Sequence, residues 1–139
     1  MDRLFLDANV LFSMAYGGVS LEVFWNMSKK GRCKLLASNY VIKEAMHNLS
    51  LPNQSKRLKQ LLAEVEIVPE ADPKTPCPLA LPAKYRSVFL AAWQARATHL
   101  LTGDLRHFNT YQGESIQGVF ICKPRHYLQS LLSSNSSGF

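Results

Sequence analysis

Short apolar runs of strand length alternate with longer stretches of helical spacing along nearly the whole chain, and this alternation limits the fold more than any other feature. Arg3 to Leu6, CysLysLeuLeuAla (33 to 37), ValGluIleVal (65 to 68), HisLeuLeuThr (99 to 102) and GlyValPheIleCys (118 to 122) read as strands. Between them lie helical patterns from Val19 to Lys30, along a face made by Val41, Ile42, Ala45, Met46 and Leu49, from Gln54 to Leu62, and over Val88 to Arg96. Strands that alternate with helices build a parallel sheet with both faces covered, joined by right-handed crossovers. The expected class is therefore α/β, three layers (α/β/α) around a central, mostly parallel sheet.

Local chemistry suggests the boundaries. Asp7 ends the first strand in a polar turn before the first helix; Ser38 or Asn39 caps the second; Leu51-Pro52-Asn53 breaks it; Ser87 caps the helix over Val88 to Arg96. Five of the seven prolines fall between Pro69 and Pro82, which reads as an exposed connection because no independent apolar unit surrounds it. With 139 residues, one core is within reach without disulfide or structural metal. One domain is expected over residues 1–132, with a frayed tail over 133–139.

Cys33, Cys77 and Cys122 are an odd number without a CxxC pair, which fits reduced thiols in the cytoplasm. The N-terminal apolar run is interrupted by Asp7 and makes a poor signal peptide, and no stretch is long enough to span a membrane. The net charge of +6 is clumped at Lys29, Lys30, Arg32 and Lys34, at Lys56, Arg57 and Lys59, and at Lys123 and Arg125. Clumping of this kind suits a polyanion such as nucleic acid, and equally a solvated basic face with no partner.

In parallel sheets ligands collect at the carboxyl ends of the strands, and Asp7 and Asp104 both sit there. Either aspartate alone has a purely local explanation, since an Asp after a strand satisfies turn amides or caps a helix. Glu44 lies mid-helix, with Asn48 one turn later on the same face, and beside Lys43 it also reads as a solvent-facing residue.

Order and context go further. LeuAspAlaAsnValLeuPhe near the N-terminus, GluAlaMetHisAsnLeu mid-chain and LeuLeuThrGlyAspLeuArgHisPhe late in the chain together resemble the PIN-domain nucleases, including the VapC-like toxins of bacterial toxin–antitoxin pairs. The resemblance spans Leu4 to about Leu131. It implies a magnesium- or manganese-dependent endoribonuclease, with Asp7, Glu44 and Asp104 as catalytic residues and as oxygen ligands of Mg²⁺ or Mn²⁺. Hard divalent cations take such ligands and activate water for attack on a phosphodiester. Asn9, Asn48 and Thr102 then support the acids by hydrogen bonding. It further implies RNA as substrate, a cognate antitoxin and a homodimer. Phe24, Trp25 and Met27 near the first helix read equally as interface residues and as core.

The family usually carries another Asp just before the helix that precedes the Thr-Gly-Asp strand. Here that position is Tyr85, flanked by Lys84 and Arg86, where a cationic side chain partly substitutes for metal charge. This supports a second reading, a degenerate PIN module that binds RNA or protein without cutting. Two other families place an Asp after a first strand. A haloacid-dehalogenase-like phosphatase needs a second Asp where this chain has Asn9, and a receiver domain fits the late Thr-Gly-Asp less well. His47, His99, His107 and His126 lack zinc-site spacing, and only His107 is expected near the crevice.

Overall fold

A computed structural model describes residues 1–17, 21–104 and 106–137, with side chains as far as Leu132. Its strands are β1 (Asp2–Leu6), β2 (Cys33–Ser38), β3 (Val65–Val68), β4 (His99–Leu101), β5 (Glu114–Ile116) and β6 (Val119–Cys122). Its helices are α1 (Ala8–Tyr16), α2 (Glu22–Lys29), α3 (Asn39–Asn48), α4 (Pro52–Leu61), α5 (Ala83–Gln94) and α6 (Pro124–Ser137). The six strands form one sheet in the order β3-β2-β1-β4-β6-β5. Every pairing is parallel except β5 with β6.

This order explains where a site can form. From β1 the chain winds outward on one side through β2 and β3, then crosses to the other side of β1 to lay down β4 and β6. The reversal falls between β1 and β4, and at such a switch point the connections leave in opposite directions, opening a crevice at the strands' carboxyl ends. The register sets Leu6 beside Leu101, so the segments leaving β1 and β4 emerge side by side.

Leu4, Phe5, Leu6, Leu35, Leu36, Leu100 and Leu101 are fully buried, as continuous apolar runs require in a sheet covered on both faces. Phe24, Phe89 and Phe108 are buried in the same core. Of the two readings open for Phe24 and Trp25, interface or core, the structure gives core: they are 0% and 3% exposed, because α2 packs against β2.

Several boundaries differ from expectation. Asp7 does not lead into a loop; its carboxylate accepts from Ala8 N at 2.7 Å and caps α1 directly. α1 ends at Gly17, whose φ of 131° lies in a region that L side chains rarely adopt. The expected helix over 19–30 is the shorter α2, and residues 18–20 lie outside the described part. α3 ends at Asn48, before the expected break at Leu51-Pro52-Asn53, and Pro52 itself opens α4 two residues ahead of the expected start at Gln54, since the first helical position has no intrahelical use for an N–H. Ser38 caps α3 as expected, accepting from Val41 N at 3.5 Å. Ser87 does not cap α5: the helix begins at Ala83, and Ser87 Oγ donates back to the Lys84 carbonyl at 2.9 Å. Helix α6 runs to Ser137; the side chains from 133 onward and residues 138–139, where the frayed tail was expected, lie outside the described residues.

Candidate active site at the β1–β4 crevice

Asp7 lies directly after β1 and is 4% exposed. Its Oδ1 accepts from Ala8 N; its Oδ2 accepts from the Thr102 hydroxyl at 2.8 Å and from Asn9 Nδ2 at 3.1 Å. Burial pushes the Asp7 carboxyl up from its ordinary value; the Thr102 and Ala8 hydrogen bonds counter this, and the charges of Glu44 and Asp104 add to the rise. The two other acids are therefore felt at Asp7.

Thr102, fully buried, is the hub. Its backbone N donates to Cys122 O at 3.1 Å, extending the sheet, while its Oγ1 donates to Asp7 and accepts from Asp104 N at 3.0 Å. Asn9 bridges the same two elements, with Nδ2 on Asp7 and Oδ1 accepting from Gly103 N at 2.8 Å. A Cβ at position 103 would lie 3.3 Å from that Asn9 oxygen, so glycine permits the close approach.

Asp104 is held in a local turn. Oδ1 accepts from Arg106 N at 2.8 Å and His107 N at 3.0 Å, and Oδ2 lies 3.1 Å from His107 Nδ1. Burial alone would raise its pKa, but the His107 and Arg106 amides and the His107 ring prevail and lower it.

Glu44 reaches the crevice from α3, with Asn48 one turn further on. Its Oε1 lies 2.7 Å from Lys84 Nζ, a pair with side-chain exposures of 28% and 45%. Tyr85 lines the same wall, its ring stacked on His107 at 3.7 Å between centroids and 19° between planes, and edge-on to Phe108 at 6.0 Å. The resulting cleft, about 540 Å³, is lined by Asp7, Asn9, Glu44, Asn48, Tyr85 and Asp104; of the other residues singled out in the sequence, the buried Thr102 supports it from behind and His107 adjoins it through Asp104 and Tyr85. Lys84, Gly103 and the apolar Ala8, Phe12 and Val88 complete the lining.

Among the described residues, however, no three His, Cys, Asp or Glu side chains come close enough together to hold a metal ion. The Tyr85–His107 stack was not legible in the sequence, since 22 residues separate the partners and nothing in either segment marks it. Of the two cations flanking Tyr85, only Lys84 lines the cleft; Arg86 turns its Nη2 toward the Leu81 carbonyl at 3.5 Å. His99 stands on β4 and His47 in the last turn of α3.

No protein-family model and no curated protein matches the sequence. Among solved structures, a chain of VapBC2 from Rickettsia felis, crystallised bound to a DNA fragment from their promoter, superposes with a TM-score of 0.61 over 87% of this chain and 98% of that one. The fold is PIN-like. At 13% identity the match concerns the fold alone. It agrees with the class read from strand and helix alternation.

The basic clumps distribute unevenly about this PIN-like fold. Lys29 to Lys34 flank the start of β2, and Cys33 pairs with Asp2, so that clump lies at the amino edge of the sheet, opposite the cleft. Arg57 is taken up by an ion pair with Glu22 and a bond to the Met14 carbonyl. Lys123 and Arg125, just beyond β6, line a groove that shares Asn9 and Gly103 with the cleft. The three cysteines are free, and no helix among the described residues is long and apolar enough to cross a membrane.

Proposed function

We propose that this chain is a metal-dependent endoribonuclease that cleaves RNA phosphodiester bonds, the toxin member of a toxin–antitoxin pair acting in the cytoplasm. The observation that carries the reading is that Asp7, Glu44 and Asp104, from three separate segments of the chain, line one cleft at the switch point of a PIN-like sheet.

The donor set suits a hard divalent cation: all three groups are carboxylates, and the Asp7 carboxyl is raised partly by the other two. Asp7, Asp104 and Glu44 would hold Mg²⁺ or Mn²⁺. When bound, the ion would activate a water and neutralise charge on the phosphate under attack. The chain's own residues prepare for this. Thr102 and Asn9 fix the Asp7 carboxylate, the turn amides and His107 fix that of Asp104, and Asn48 stands beside Glu44. Lys123 and Arg125 in the adjoining groove are placed to take phosphates on either side of the cut.

A partner is supported by the VapBC2 complex to which the fold is similar. A groove of about 850 Å³ between α2 and α6, lined by Val23, Met27, Leu128, Leu131 and Leu132 with Asp2, Arg32 and Tyr127 among them, offers a partly apolar seat for an antitoxin or for the second copy of a homodimer.

The second reading, a module that binds RNA or protein without cutting, is favoured by the Lys84–Glu44 pair and by a tyrosine where an acid would be expected. RNA cleavage followed with Mn²⁺ added and then chelated separates the two. The nuclease reading expects cleavage that Asp7→Asn abolishes; binding without metal-dependent cleavage would overturn it.

A further inference from the structure

Two neighbouring residues in the first turn of α5 each engage one acid of the cleft. Lys84 Nζ contacts Glu44 Oε1 directly, and Tyr85 backs the His107 ring that pairs with Asp104 Oδ2. Asp7 differs, for all its partners are neutral donors. The cleft thus has three acids and, along its lining, one cation, and that cation sits on Glu44. An ammonium has three donors and a unit charge, so it answers part of the electrostatic demand a divalent ion would meet. With Lys84 45% exposed on a flexible four-carbon stem, it can swing into solvent without disturbing the core.

Resting on the reading of Asp7, Glu44 and Asp104 as a metal site, we infer that Lys84 is a latch. It is the cleft's resident cation, it tethers Glu44 to the α5 wall, and a divalent ion completes its ligand set only by displacing it. This accounts for three acids lining one cleft without forming a ready cluster of three. It also makes metal affinity adjustable at one wall residue whose ion pair is with Glu44 alone among the three acids.

The test is calorimetric titration of MnCl₂ into the full chain, Lys84→Gln and Lys84→Arg, with thermal melts in and out of Mn²⁺ and circular dichroism to confirm folding. Lys84→Gln is expected to bind Mn²⁺ at least about tenfold more tightly than the parent, from loss of a unit charge a few ångströms away. Its melting temperature should rise more on adding Mn²⁺, and Lys84→Arg should behave as the parent. Equal Mn²⁺ affinity in parent and Lys84→Gln, including no binding by either, overturns the latch. So does Mn²⁺ binding by Lys84→Gln that survives Asp7→Asn, since the ion then sits elsewhere. The nuclease reading fails separately: if Lys84→Gln binds Mn²⁺ tightly through Asp7 yet leaves RNA intact, the latch stands and the nuclease falls. If the parent cuts RNA through Asp7 while Lys84→Gln binds no tighter, the reverse holds.

Discussion

Thr102→Val isolates the hydroxyl on which the site's geometry turns. Valine keeps the shape, so the change removes the donor to Asp7 Oδ2 and the acceptor that serves Asp104 N at 3.0 Å and Asn9 Nδ2 at 3.3 Å. A hydrogen bond to a charged group contributes roughly 1.5–3 kcal/mol and an orphaned buried amide costs about 1–3 kcal/mol. Asp7 Oδ2 keeps its bond from Asn9, which offsets part of the loss. A net destabilisation of roughly 2–4 kcal/mol is expected near pH 8, a drop in Tm of about 8–15 °C for a chain of this size.

The pH dependence is the stricter test. Thr102 holds the Asp7 carboxyl down against burial, so Thr102→Val raises it further above the unfolded value of 3.8. A raised folded pKa means stability that is full below the unfolded value and lost as pH climbs through the folded one. The charge-dependent part of the penalty is therefore larger near pH 8 than near pH 4, since it grows as pH climbs through the raised Asp7 pKa. Urea unfolding of both proteins at the two pH values measures this. An equal penalty at both, or one below about 1 kcal/mol near pH 8, would refute the account of Thr102 as the hydroxyl holding an ionised Asp7.

Tyr85→Asp should tighten Mn²⁺ binding by supplying an oxygen ligand, and lower Tm by removing the ring stacked on His107; calorimetry and melting curves read both. Asp104 has a lowered pKa, so its contribution to stability is present above 3.8 and fades as pH falls through its lower folded value. Asp104→Asn should flatten that acid limb of the Tm-versus-pH profile. Lys123→Ala with Arg125→Ala should weaken RNA binding and reduce its salt slope, whereas Lys29→Ala with Lys30→Ala, at the opposite edge of the sheet, should leave both nearly unchanged in fluorescence-anisotropy titrations.

The sheet was legible because its central strands are buried on both faces and so appear as unbroken apolar runs, as at LeuPheLeu and LeuLeu. β5 was missed because GluSerIle is short and largely exposed at an edge. Its hairpin uses Gln117 and Gly118, both at positive φ, without the Asn-Gly or Asp-Gly pair that usually announces such a turn. Helix starts failed where tertiary context replaced local chemistry: α5 opens after Pro82 with no side-chain cap, while Ser87, a good cap by type, lies inside it. Asp7, Asn9, Glu44, Asn48 and Asp104 were legible through a resemblance of motifs, and the cleft gathers them. What each is paired with was not, because the Lys84–Glu44 and Tyr85–His107 contacts depend on how α5 lies against α3 and the β4 exit.

The proline-rich connection from Pro69 to Pro82 ends one residue before α5, and Lys84 and Tyr85 come at once after its first residue. One wall of the cleft is anchored by Asp7 and Thr102, at 4% and 0% exposure, where substitution disturbs the core. The other is the first turn of a helix entered from a surface loop, where half-exposed Lys84 changes at little cost to folding and Tyr85 at the cost of its stack on His107. The site's ionic preference is therefore separable from its architecture: a lineage, or an experimenter, can retune which cation the acids accept through residues 84 and 85 and leave the sheet that presents them intact.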